Sequence, residues 1–282
     1  MSERVYYHYN GDSQYSLAYV TQDRDEISVS ERDAIIEHYD LDEEFFVLYT
    51  NHGASGTVED LDDEFEDVLD EMSPQDRLIT VRLLQIFEEI TEEKKLEEEE
   101  KLEIYKQIEL GRIPDAIERI DWNGTAVDVA GQLMSTLILK HPLPNANHRT
   151  SISMAQWYLE SLETGFSFPE FATEEYDWKS WVNEYITESK RLLTVRRNTT
   201  AFSLLAEWGC DTVVRKNGTE IVLAEYDLDL SRSQAYEYYG NKHTELCTKF
   251  LIESVTRAGH DELVSTEGTR KAEFVSFLED AE

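Results

Sequence analysis

The segment "TAVDVAGQLMSTLILK", residues 125–140, constrains the fold more than any other part of the chain. Ala126, Val127, Val129, Ala130, Leu133, Met134, Leu137, Ile138 and Leu139 put apolar groups on nearly every side of a helix, and such a helix must be enclosed by other elements. Thr125 and Asp128 supply its N-terminal cap. A second apolar helix is predicted from about Thr150 through Ile152, Ala155, Trp157, Leu159 and Leu162, with Gly165 as its stop. Between the two lies "KHPLPNANHRTS", residues 140–151, a cluster of neutral and basic hydrogen-bonding groups in a chain with 60 acidic and 26 basic residues.

The formal net charge of -34 and a pI near 4.4 repel polyanions, so nucleic acid and anionic membranes are disfavoured as partners. With 40% hydrophobic and 11% aromatic residues, the chain has enough apolar surface to fold, and the acid must coat a folded body. Such a coat resembles that of salt-adapted, halophilic proteins, in which concentrated salt screens self-repulsion. Cys210 and Cys247 have no metal-ligand spacing and fit a reducing cytoplasm. No apolar leader and no run long enough to span a membrane is read in the sequence. The N-x-T triplets at Asn123, Asn198 and Asn217 are then chance matches.

The pattern predicts a mainly α fold in three segments. Residues 1–70 read as a small α/β appendage, with Tyr- and Val-rich strand pieces and a helix opening at "SERDAII", where Ser30 and Asp33 stand at capping-box spacing. Residues 71–205 read as a helical domain. It opens at "SPQD" from Ser73, with an apolar stripe of Val81, Leu84, Ile86, Phe87 and Ile90, and continues into a charge-dense solvated helix face over 88–109. "RIPDAIERIDWNG" reads as a partly extended connection, and further helices are expected at 173–195 and 199–208. Residues 206–282 form a C-terminal helical region containing a β-hairpin, signalled by Asn217-Gly218 as a type I′ turn, and a helix capped by Ser231 and Gln234.

The linking segment has its own chemistry. Pro142 pushes His141 out of the helical region at the end of the first core helix, and an imidazole held there can act as a general base toward a hydroxyl. Ala146, Asn147, His148 and Arg149 lead into a helix start, where backbone N–H groups, an amide and a guanidinium suit phosphate oxygens. A base beside an anion cradle fits phosphoryl or nucleotidyl transfer. A metal site shared by His141 and His148 is disfavoured, because no acid or cysteine lies beside them to complete a shell.

"HPLPNANHRT" resembles the signature of the Fic/Doc (Fido) family, H-x-F-x-D/E-G/A-N-G/K-R, and the apolar helices on both sides match that family's setting. The resemblance covers about residues 115–165 and extends plausibly over 70–205. It implies an all-α core that takes ATP or another nucleoside triphosphate with Mg2+ and moves AMP, or in Doc-like members phosphate, to a Ser, Thr or Tyr hydroxyl of a target protein. On this likeness His141 is the base, Leu143 the apolar anchor, and Ala146, Asn147, His148 and Arg149 the phosphate contacts, with Ala146 in the Doc-like form. A toxin-like activity restrained by an antitoxin chain is part of what it implies.

The sequence departs from the family at three positions. Asn145 stands where the family has its metal-binding acid, and a neutral amide oxygen is a weaker Mg2+ ligand than a carboxylate. His148 replaces Gly or Lys, and Ile152 stands where AMP-transferring members commonly have a second arginine. The alternative is a catalytically degenerate Fido-fold module that binds nucleotide or protein. Thr269 and Glu273 have the spacing of the family's inhibitory helix, but Phe274 spoils the motif and a surface helix is the expected reading.

Overall fold

The computed structural model describes residues 4–12, 14–27, 34–51, 62–98, 106–163, 165–171 and 179–281. Its elements are mainly helical, with two small sheets. The chain divides into two compact units, one of Met1–Gly53 with Thr187–Asn241, the other of Ala54–Ile186 with Lys242–Glu282.

In the first unit, strands β2 (Tyr15–Thr21), β3 (Ala34–Asp40) and β4 (Glu44–Asn51) form an antiparallel sheet in the order β2-β4-β3. Strand β4 alternates, burying Phe45, Val47 and Tyr49, as a strand with one covered face should. The helix expected to open at Ser30 is absent over Ala34–Asp40, which pairs with β4 along its whole length; Ser30 and Asp33 lie outside the described residues. The β-branched pair Ile35-Ile36 and the cross-strand partners offered by β4 override the local capping signal.

A second sheet joins β1 (Arg4–Tyr6) in parallel to β5 (Thr212–Val214), which pairs antiparallel with β6 (Glu220–Val222). The expected hairpin is therefore present. Asn217 at φ 58° and Gly218 at φ 69° both turn left-handed, as a type I′ turn requires. Because β1 pairs with a strand some two hundred residues later in the chain, the first unit joins segments far apart in sequence, and a pairing so distant leaves no local sequence mark.

The second unit contains α1 (Asp62–Glu71), α2 (Pro74–Glu98), α3 (Arg112–Ile117), α4 (Ala126–Lys140), α5 (Asn147–Glu160) and α8 (Lys271–Asp280); the division between the units falls within α6 (Ser180–Glu207) and α7 (Arg232–Ala258). Ser73 caps α2, its Oγ accepting the Asp76 N–H at 3.1 Å. The buried face of α2 is Ile79, Leu83 and Ile86, not the expected stripe, of which only Ile86 is fully covered. "RIPDAI" is a short helix, because Ile113, Ala116 and Ile117 can bury one face together. Residues 99–105 of the charge-dense segment lie outside the described residues.

Helix α4 is as central as its composition requires, with eleven of its residues buried. Its polar members find partners: Thr136 bonds back to the Gln132 carbonyl at 2.8 Å, and Ser135 Oγ lies 2.8 Å from His243 Nδ1 of α7. Gly131 lets α7 come close, since a Cβ there would lie 3.0 Å from the Thr248 Cα. The two helices expected over 173–195 and 199–208 are one helix, α6, interrupted only at Asn198, whose side chain donates to the Thr194 carbonyl at 2.7 Å; residues 172–178 lie outside the described residues.

Candidate active site

The linking segment starts where α4 ends. His141 adopts φ 51°, ψ 55°, and its N–H donates to the Leu137 carbonyl at 3.0 Å. This left-handed cap is usually glycine, but Pro142 bars a further right-handed turn and the half-buried histidine accepts the conformation. Pro142, Leu143 and Pro144 then turn inward and are buried, Leu143 to 1% exposure, which agrees with an anchoring role.

A strap covers the carbonyls at this helix end. Arg112 Nη1 donates to the Lys140 carbonyl at 3.1 Å, the Lys106 ammonium to the His141 carbonyl, and the Glu109 N–H to the Pro142 carbonyl at 2.8 Å. Lys106 and Arg112 both pair with Glu109, and Lys140 pairs with Asp115 at 2.6 Å. The Lys140 ammonium holds the Asp115 carboxyl below its usual range, chiefly by hydrogen bonding. Sequence reasoning missed Lys106 and Arg112. Their signal was faint: two cations flanking the end of an otherwise acidic run.

Asn147 organises the loop interior. Its side chain is buried at 5% exposure; Oδ1 accepts the Leu143 N–H at 3.1 Å and Nδ2 donates to the Leu143 carbonyl at 2.9 Å. These two bonds fix which end of the amide is which. Nδ2 also lies 3.5 Å from His141 Nε2, at the outer limit of a hydrogen bond. Asn147, the expected phosphate contact, also shapes the loop that would carry a phosphate.

Ala146 precedes α5 at φ 55°, ψ 15°, a second left-handed residue, and its carbonyl accepts the Thr150 N–H at 2.9 Å. The helix therefore opens at Asn147, earlier than the expected start at Arg149 and Thr150. His148 is half-buried with its ring edge-on to Tyr185 at 6.5 Å, and Arg149 is also half-buried. Thr150 is sealed at 0% exposure, and its Oγ1 has no partner among the described residues.

A resident metal does not fit these side chains. Asn145 Oδ1 accepts the Ala146 N–H at 2.6 Å, so the one candidate ligand is neutral and engaged. Among the described residues no group of three or more His, Cys, Asp or Glu is arranged to hold a metal ion. Glu273, weighed as an inhibitory acid, accepts the Arg270 N–H at 3.0 Å and caps α8 instead.

A family model described as a family of unknown function (DUF8172) matches residues 1–282. The chain belongs to this DUF8172 family. No curated protein and no solved structure matches it. The match spans both compact units, so the loop, its strap and the sheet-bearing unit all lie within one family description. Among the described residues no helix is long and apolar enough to cross a membrane.

Proposed function

We propose that the 141–149 loop is the site of a Fido-type transferase that moves AMP or phosphate from a nucleoside triphosphate to a Ser, Thr or Tyr hydroxyl of a target protein. The observation behind this reading is the loop's closure on Asn147, which sets the His141 imidazole beside the start of α5. In the reaction the His141 imidazole, in its neutral form, takes the hydroxyl proton on a ring nitrogen, and the freed oxygen attacks the α-phosphorus, expelling pyrophosphate, or the γ-phosphorus, expelling nucleoside diphosphate. Arg149 and the first turn of α5 hold the phosphate charge. Any Mg2+ arrives with the triphosphate as part of the substrate, and no step depends on a protein-held ion. Such chemistry belongs in the cytoplasm, and a separate antitoxin chain would suit a toxin-like transferase whose own α8 acid is spent on a helix cap.

Transfer of label from α- or γ-labelled ATP into protein tests the reading and tells AMP from phosphate transfer. His141→Ala should lower the rate by about 100-fold or more, the usual scale for a general base. Undiminished transfer by that variant would remove the histidine from the mechanism.

A second reading, a silent nucleotide- or protein-binding module, is favoured by the neutral, engaged Asn145. Asn145→Asp separates the two, because it restores a charged oxygen without changing side-chain length. If neither wild type nor Asn145→Asp transfers label while triphosphate still binds, the module reading stands.

A further inference from the structure

In a chain with 60 acidic and 26 basic residues, every buried or crowded cation should find a carboxylate, yet one group in the sheet-bearing unit does not. Most cations around β5, β6 and α6 are committed. Arg4 pairs with Glu220 at 2.8 Å, Arg191 with Glu188 at 3.3 Å while its Nε donates to the Glu220 carbonyl, and Arg196 donates to the Tyr236 carbonyl and lies over that ring at 4.1 Å. Lys190, Arg197 and Arg215 have no carboxylate partner among the described residues.

These three come together through the fold. Lys190, Thr194 and Arg197 stand at i, i+4 and i+7 on α6 and share one helix face before the break at Asn198. Arg215, next to the hairpin turn, reaches that face: its Nη1 donates to the Lys190 carbonyl at 3.3 Å, and its guanidinium lies 5.8 Å from the centre of the Tyr7 ring. The Lys190 carbonyl also accepts Thr194 Oγ1 at 2.7 Å, so this point of the helix is doubly held.

With Nη1 occupied, Arg215 keeps its Nε edge uncommitted, and Nε is buried without a hydrogen-bond partner. A buried donor left unmet is costly, and native proteins seldom retain one without a use. The Nε–Nη2 edge is also the fork that meets two oxygens of a phosphate. Like charge accumulates beside it: burial and then Arg197 lower the Arg215 pKa, while desolvation and then Arg215 lower that of Lys190.

We infer that Lys190, Arg197 and Arg215 form a binding site for the diphosphate group of a small molecule, either free pyrophosphate or the diphosphate end of a nucleotide. Three clustered cations match a multiply charged condensed phosphate better than a single carboxylate. The strongly negative chain as a whole opposes a long polyanion, which must cross far more of that field than a small ion does.

Calorimetry on the full chain tests the site, with pyrophosphate, ADP and orthophosphate titrated separately into one buffer. Wild type should bind pyrophosphate saturably, and Arg215→Lys, which keeps the charge but loses the fork, should weaken it about tenfold or more. Lys190→Gln combined with Arg197→Gln, at exposed positions, provides the same test should Arg215 variants fail to fold, and should weaken binding at least as much. Arg257→Gln, which removes an exposed cation paired with Glu253 elsewhere on the chain, should leave pyrophosphate binding unchanged, so that the losses above are not an effect of net charge alone. ADP binding as tight as pyrophosphate identifies a nucleotide as the source; pyrophosphate alone identifies the free ion. The inference is overturned if wild type shows no saturable binding, if the double variant binds as wild type does, or if Arg257→Gln weakens binding as much as the double variant. Binding of a single-stranded oligonucleotide that pyrophosphate cannot displace would overturn it too, by assigning the cations to nucleic acid.

Discussion

The loop from His141 to Thr150 and the cation cluster of Lys190, Arg197 and Arg215 are both dense in polar groups, but they treat hydrogen-bonding capacity in opposite ways. In the loop, one amide side chain satisfies both backbone groups of Leu143, the strap satisfies three successive carbonyls, and the shape is held without a ligand. In the cluster a buried guanidinium nitrogen is unmet and like charges face one another. The first is preorganised, with its ordering cost met on folding; the second gains most when an anion arrives. Breaking a loop contact should therefore appear as lost stability, whereas changing the cluster should appear as altered binding.

The largest expected effect comes from Asn147→Ala. It leaves the Leu143 N–H and carbonyl unmet in a buried position, and each such loss costs about 1–3 kcal/mol, so the variant should be destabilised by roughly 2–4 kcal/mol in denaturant or thermal unfolding. A change below about 0.5 kcal/mol, the range of ordinary surface substitutions, would mean that the loop does not depend on this amide.

Next is Arg149→Ala, which should weaken nucleoside triphosphate binding by about 1.5–3 kcal/mol, the scale of a hydrogen bond to a charged group. Calorimetry in high-salt buffer reads it. Equal affinities for variant and wild type would remove Arg149 from the phosphate contacts, and with it much of the case for the transferase reading.

A third effect lies between α6 and α7, where Cys247 is buried 3.6 Å from His243 Nδ1 and 3.5 Å from the Tyr185 hydroxyl, its thiol pushed up to about 12, chiefly by burial. A thiol raised in the folded state keeps the native form favoured while it remains neutral. Its contribution is whole below the unfolded value near 9 and is lost as pH rises from there toward 12. Between pH 8 and 10 wild type should lose roughly 1 kcal/mol more than Cys247→Ala, which starts from a lower stability and shows the flatter profile. Buried tyrosines whose hydroxyls are also raised lose stability over an overlapping range, so the thiol is read from the difference between the two profiles. Parallel profiles for the two proteins would refute the assignment.

What was legible in the sequence follows the range of the interactions concerned. Helix α4, its Thr125 cap, the Ser73 and Ser231 caps and the Asn217-Gly218 turn depend on residues a few positions apart, and all were readable. Strand β3 was read as helix because its decisive partner is β4, and the β1–β5 pairing had no local trace at all. At the site, His141 and Leu143 could be placed by their relation to Pro142, but the strap could not, since Lys106 meets the loop only through tertiary contact. Asn147 was readable as important, but its bracing of Leu143 was not. Choosing between a ligand contact and an internal brace requires knowing where the Leu143 backbone points.

The smallest effect tests the loop's preorganisation most directly. Ala146 sits at φ 55°, ψ 15°, where an L-residue with a Cβ is disfavoured by roughly 1–2 kcal/mol, whereas glycine adopts this region freely. Glycine gives back part of that gain through its greater freedom in the unfolded chain, about 0.5–1 kcal/mol, so Ala146→Gly should stabilise the protein by a few tenths to about 1 kcal/mol. The sign matters more than the size, since glycine is destabilising at most other positions. Residue 146 half-exposes its side chain, so little packing is lost to obscure the backbone term. A rise in thermal midpoint with unchanged triphosphate affinity would show the loop conformation present before any ligand. A fall would mean that the left-handed turn at Ala146 is not the resting state of the loop, and the contrast with the ligand-seeking cluster on α6 would lose its basis.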